Sequence, residues 1–221
     1  MDPSGPEVPP DADLGDGRDL GWIDGGDAGD AGGHDAGGGG HDAGSPPADE
    51  PLELRLLGLD ETMHDYRAPV FTAAMSNPMN QSPAMSWTGI PAGTKSVAIS
   101  MIDTNAIATR GKPVVPGSAE KVHFVYWDIP VSASQLRANL PRKATIADPA
   151  GMKASQTFRG FGWFGPGAGE VHVYIVSLWP LDVEQLREVK AGARPKDAYD
   201  ALAKHVIGKP AQVIAVGKQG G

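Results

Sequence analysis

Beyond residue 50 the apolar and polar positions alternate mostly with a period of two, the pattern of strands that turn one face toward a core. "LELRLL" (52–57) alternates before ending apolar, and "SVAISMID" (96–103) and "KVHFVYWDI" (121–129) read as largely buried strands. "EVHVYIVSLWPLD" (170–182) is long and rich in β-branched and aromatic residues, and "QVIAVGK" (212–218) closes the series. Between them, 76–94, 108–120 and 159–169 are dense in Gly, Pro, Asn and Ser, which marks turn-rich connections. Helical spacing surfaces only late, in "DVEQLREVK" (182–190) and "PKDAYDALAKHVI" (195–207). In the second, Pro195 suits a first helical turn while Tyr199, Leu202 and Val206 fall near one face. The expected fold is mainly β: antiparallel sheets followed by two short C-terminal helices.

The first fifty residues break this pattern. They hold 14 of the 30 glycines, 13 of the 27 acidic residues and one of the 19 basic ones, so they carry a net charge of -12 and the remainder +4. Phrases such as "GGDAGDAGGHDAGGGGHDAG" (25–44) offer almost nothing to bury, so ordering them would cost backbone entropy with little return. The expectation is a disordered, acidic Gly/Asp-rich linker over 1–50 and a domain over 51–221. His34 and His41, in the repeated phrase "GGHDAG", are the linker's weak candidates for a divalent metal.

Charge and cysteine content then narrow the function. The chain has no cysteine, which excludes disulfides, thiolate metal sites and cysteine nucleophiles. A domain balance of +4 mixed among both signs makes no basic stripe, and the acidic segment repels phosphates, so nucleic acid is not the expected partner. "MDPSGPEVPPDAD" has neither the basic start nor the apolar core of a signal peptide, and no run approaches the ~18 apolar residues of a membrane span. A Gly/Asp linker ahead of a compact domain suits a tethered envelope protein as well as a cytoplasmic one, so the compartment stays open.

Candidate chemistry sits at strand ends beside the turn-rich connections. His123 and His172 lie in two separate strand-like runs, and Asp103 ends a third. An imidazole among Val, Phe and Tyr is costly to bury unless its nitrogens find partners, and Asp103 is the nearest candidate to supply one. In "GPGAGEVHVY" (165–174) a glycine-rich turn runs into His172 and Tyr174, whose spacing of two places them on one side of a strand.

The ordered set "SPAMSWTGIPAGTKSVAISMIDTNA" (82–106), "VHFVYWDIP" (122–130), "GWFGPGAGEVHVY" (162–174) and "LAKHVIGKPAQVIAVGK" (202–218) resembles the phosphatidylethanolamine-binding protein family, particularly its bacterial Raf-kinase-inhibitor-like branch. The resemblance covers about residues 52–218 and implies a β-sandwich with a small anion pocket for phosphate-like groups. It assigns Asp103, His123, His172 and Tyr174 to that pocket, together with Gly165 and Pro166 of the Gly-Pro loop as ligand-binding residues. Glycine there would let backbone N–H groups approach an anion, and imidazoles with a reference pKa near ~6.5 would bind it better in mild acid. The implied function is a noncatalytic module, without a cofactor, that binds a phosphate- or carboxylate-bearing small molecule or a phospholipid headgroup.

Two other functions compete. The family includes kinase and protease inhibitors, so the loops at 76–94 and 108–120 could meet a protein partner. Alternatively, two histidines and one aspartate could hold a catalytic metal. No "G-x-S-x-G" occurs, which argues against a serine hydrolase.

The family's Asp-Pro-Asp-Ala-Pro motif reads "DTNAI" here, with Asn105 and Ile107, and its His-Arg-Tyr reads His172-Val173-Tyr174. If the missing acid and base are partners in relatives, Asn105 and Val173 should lie side by side. Trp87, Trp163 and Phe164 are either an apolar entrance or ordinary packing residues, and His205 is expected to be structural.

Overall fold

The computed structural model describes residues 50–61, 64–117 and 121–218. The linker expected over 1–50 lies, apart from Glu50, outside the described residues, as do His34 and His41. Among the described residues there are ten strands, a 3-10 turn at His64–Tyr66 and one α-helix, α1, at Pro195–Leu202. The strands are β1 Glu53–Leu57, β2 Ala84–Thr88, β3 Ser96–Ile107, β4 Lys121–Pro130, β5 Gln135–Leu136, β6 Lys153–Ala154, β7 Gln156–Thr157, β8 Gly160–Phe161, β9 His172–Leu181 and β10 Ala211–Gly217.

Five of them form an antiparallel sheet in the order β10-β9-β3-β4-β6, and β1-β2-β5 form a smaller antiparallel sheet. The main core lies between them, where Ile99, Met101, Phe124, Tyr126, Val176 and Leu178 of the large sheet meet Leu54, Leu56, Met85, Trp87 and Leu136 of the small one. The opposite face of the large sheet is also covered. Ala98, Val125, Trp127, Trp179 and Leu181 pack there on Leu186 and on Ala198, Ala201 and Leu202 of α1. Burial on both faces explains why β3 and β4 are nearly continuous apolar runs while β1 alternates between exposed and buried.

Two expectations are corrected. The segment 182–190 forms turns rather than a second helix, so one short helix follows the sheets. Two ties to the sheet hold it open: the Leu186 amide donates to the Asp128 carboxylate at 2.7 Å, and the Val183 carbonyl accepts from Ser96 Oγ. The stretch 76–94, read as a connection, contains β2, whose alternation in "AMSWT" is too short to stand out between prolines. No helix among the described residues is long and apolar enough to cross a membrane.

Candidate functional site

The candidate residues converge at one end of the large sheet because the register brings them there. Asp103 on β3 lies directly opposite Tyr174 on β9 and Lys121 on β4, while His172 follows on the same side of β9 as Tyr174. Beyond Asp103 the ladder breaks: Ile107 is the next partner, opposite His172, so Thr104, Asn105 and Ala106 bulge outward. Asn105 takes a left-handed φ of 54°, and its N–H donates to Asp103 Oδ1 at 2.7 Å. The bulge thus fixes the carboxylate as well as ending the strand.

Asp103 is 4 % exposed and holds His172. His172 Nδ1 lies 3.0 Å from Asp103 Oδ2 and 3.2 Å from Oδ1. Because a carboxylate can only accept, the proton sits on Nδ1, and Nε2 on the far side of the ring is left for a ligand. His123, also 4 % exposed, is fixed differently. Its Nδ1 donates to the Phe164 carbonyl at 2.9 Å, and its Nε2 stands 3.8 Å from Asp103 Oδ2, too far for a hydrogen bond. Burial pushes the His123 pKa below the usual histidine value, and the Lys121 charge adds to this. The Phe164 carbonyl and Asp103 oppose the shift without cancelling it, so the ring is held neutral near pH 7.

Tyr174 is fully buried, edge-on to His123 at 5.3 Å and to Phe71 at 5.9 Å. Burial, and then the charge of Asp103, raise its pKa, so the phenol stays protonated and able to donate. The Gly167 and Ala168 amides and the Asp103 carboxylate approach this oxygen closely enough to shift its pKa, the amides downward and the carboxylate upward. None reaches hydrogen-bonding geometry, and Tyr174 Oη has no partner among the described residues. Trp87 Nε1 and Trp127 Nε1 are likewise unpartnered within the core, whereas Tyr174 Oη lies beside Asp103 in the site.

The loop across the site is braced by residues that the sequence did not flag. The Gly165 N–H donates to Asn80 Oδ1 at 2.9 Å, the Asn77 N–H to the Pro166 carbonyl at 2.8 Å, and Trp163 Nε1 to the Met75 carbonyl at 2.8 Å. Gly165 is obligatory here, since a Cβ would stand 1.8 Å from the Met75 carbonyl oxygen. Pro166 is buried against Gly217 and Phe71, which anchors the loop to β10. Phe164 stacks on His123 at 5.0 Å and so walls the site, whereas Trp87 and Trp163 are core residues.

Asn105 and Val173 are not side by side in one environment. Asn105 is exposed, and Val173 is fully buried with Tyr66 and Val216, next to Ala106. The hydroxyl of Thr104 links the two regions, Oγ1 donating to the Val173 carbonyl at 3.0 Å.

Residues 61–216 match the sequence profile described as phosphatidylethanolamine-binding protein. The chain belongs to that family. A UPF0098 protein of Methanothermobacter thermautotrophicus is 30% identical over 146 residues, 64% of this chain and 85% of that protein. The UPF0098 protein YbhB of Escherichia coli is 31% identical over 117 residues, 52% of this chain and 67% of its own length. The crystal structure of E. coli YbcL, described as a member of the mammalian PEBP family, superposes with a TM-score of 0.55 at 21% identity, covering 76% of this chain and 98% of YbcL. The PEBP homologue CT736 of Chlamydia trachomatis gives 0.54 at 17% identity, covering 75% and 95%. Both share the fold.

The phosphatidylethanolamine-binding protein fold is a ligand-binding one, and its members are generally non-enzymatic. Among the described residues no group of three or more His, Asp or Glu side chains is arranged to hold a metal ion. In this chain each of the two histidines already commits Nδ1 to a protein acceptor.

Proposed function

We propose that the protein is a noncatalytic binding module that takes a phosphate- or carboxylate-bearing group, free or as a lipid headgroup, between Tyr174, His172 and the Gly-Pro loop. The observation that carries this reading is the buried, unpartnered hydroxyl of Tyr174. A buried donor without a partner in the fold costs free energy, which an anionic oxygen that reaches it recovers. When the ring is protonated, His172 Nε2, oriented by Asp103, adds a second donor, and the Gly167 and Ala168 amides lie nearby on the loop. Asp103 is engaged by His172 and by the Asn105 amide, so much of its own repulsion toward an anion is already answered.

The same geometry argues against hydrolysis or group transfer. Among the described residues no serine or threonine hydroxyl is paired with either histidine, and Asp103 is spent on holding one of them. Calorimetric titration of inorganic phosphate, and then of a short-chain phosphoethanolamine lipid, tests the proposal. Binding that is stronger near pH 6 than near pH 8 and is lost in His172→Ala is the expected result. Equal binding by that variant would overturn it.

A further inference from the structure

Strands β7 and β8 form a hairpin whose tip is Phe158-Arg159. The tip is held open by its own hydrogen bonds: Thr157 Oγ1 donates to the Gly160 carbonyl at 3.1 Å, and the Arg159 N–H donates to Thr157 Oγ1 at 3.4 Å. Phe158 is consequently 86 % exposed, more than any other large apolar side chain among the described residues. The Arg159 guanidinium lies 5.7 Å from the ring centroid.

Three segments are stitched together at this end of the domain. The Ala154 N–H donates to the Ala144 carbonyl at 2.9 Å, the Gly192 N–H to Ala154 at 3.0 Å, and the Gln156 N–H to Ala193 at 2.8 Å. Residues 141–144, 154–161 and 190–194 contain Arg142, Lys143, Arg159, Lys190 and Arg194 and no acidic residue. Asp197 pairs with Arg194 at 2.9 Å, and no ion pair to the other four occurs among the described residues. Arg142 Nε lies beside Gly160, 3.7 Å from where a Cβ would be, so this cation borders the hairpin itself.

We propose that this end of the domain is a docking surface for an anionic lipid bilayer, with Phe158 entering the headgroup layer and Arg142, Lys143, Arg159 and Lys190 facing lipid phosphates. A lone protruding ring with a collar of cations matches an interface that is apolar below and anionic above. A protein hot spot would instead set its aromatic anchor within a wider packed patch, and here the neighbouring Phe161 is turned against Gly192 and Ala144. The proposal rests on the pocket reading and gives it a source of ligand. β8 leads through the buried Gly162 and Trp163 into the loop that carries Gly165 and Pro166, so the hairpin and that loop are joined along the chain.

Sedimentation of the full chain with vesicles of phosphatidylcholine, alone or mixed with phosphatidylglycerol, tests the surface separately from the pocket. The chain should sediment with the mixed vesicles and not with phosphatidylcholine alone. Phe158→Ser should weaken partitioning about 10- to 100-fold. Lys143→Glu should weaken it by more than the about fivefold expected for removing one charge at an anionic surface. Both positions are exposed, so both variants should fold and titrate inorganic phosphate as the parent does. His172→Ala should still sediment. A parent chain that stays in the supernatant overturns the docking surface, as does Phe158→Ser sedimenting like the parent. Failure of phosphate to bind while the vesicles do would instead remove the pocket reading.

Discussion

Replacing Tyr174 by phenylalanine separates the work of the site from the stability of the fold. The ring is fully buried, and its contacts with His123 and Phe71 survive the change, because only Oη is removed. That oxygen makes no hydrogen bond among the described residues. Leaving such a group buried costs about 1–3 kcal/mol, so its removal should stabilise the empty protein by up to that amount. For a domain of this size, each kcal/mol raises the melting temperature by about 2–4 °C. A hydrogen bond to a charged ligand contributes about 1.5–3 kcal/mol, so the same variant should bind phosphate about 10- to 100-fold more weakly. Thermal unfolding and calorimetry on one preparation measure both quantities. Opposite signs, a gain in stability and a loss in affinity, are expected of a group kept for binding. A variant less stable by about 1 kcal/mol or more would show that Oη is satisfied within the fold. Unchanged phosphate affinity would remove Tyr174 from the site.

Other outcomes follow from the same geometry. Gly165→Ala drives a methyl group into the Met75 carbonyl and should cost about 1–3 kcal/mol in denaturant titration, with phosphate binding lost as the loop shifts. His123 is neutral in the empty site, so an arriving anion should draw a proton onto it. Titrations near pH 6.5 in buffers of different ionisation enthalpy should then reveal proton uptake, and buffer-independent heats would count against this. Because the folded pKa of His123 is lowered, the unfolded chain protonates first, and stability should fall as the pH drops from about 6.5 through the folded value. His123→Gln should flatten that limb. His205 behaves oppositely: Glu188 and Asp182, at 2.6 and 3.0 Å, raise its pKa. Its contribution is fully present below about 6.5, is lost as the pH rises through the folded value, and should vanish in His205→Gln or high salt.

The sequence by itself determined the long strands, because period-two alternation and buried apolar runs reflect side-chain direction along a single segment. The motifs kept in one order also pointed to the family and singled out Asp103, His123, His172 and Tyr174, which the fold brings together at one end of the large sheet. Where local signals were weak, tertiary structure decided. The helical spacing in 182–190 yielded to the carboxylate of Asp128 and the hydroxyl of Ser96, two partners far away in the chain. β2 emerged from a proline-rich stretch because β1 and β5 pair with it. The roles within the site were equally beyond a linear reading. Asp103 could pair with either histidine until the register set His172 at hydrogen-bonding distance and His123 at 3.8 Å. Nothing in "SNPMN" indicates that Asn80 will hold the Gly165 amide, because that contact spans 85 residues. Alternation is local and survives in the sequence, whereas the partner of a buried polar atom depends on which distant segments fold against it.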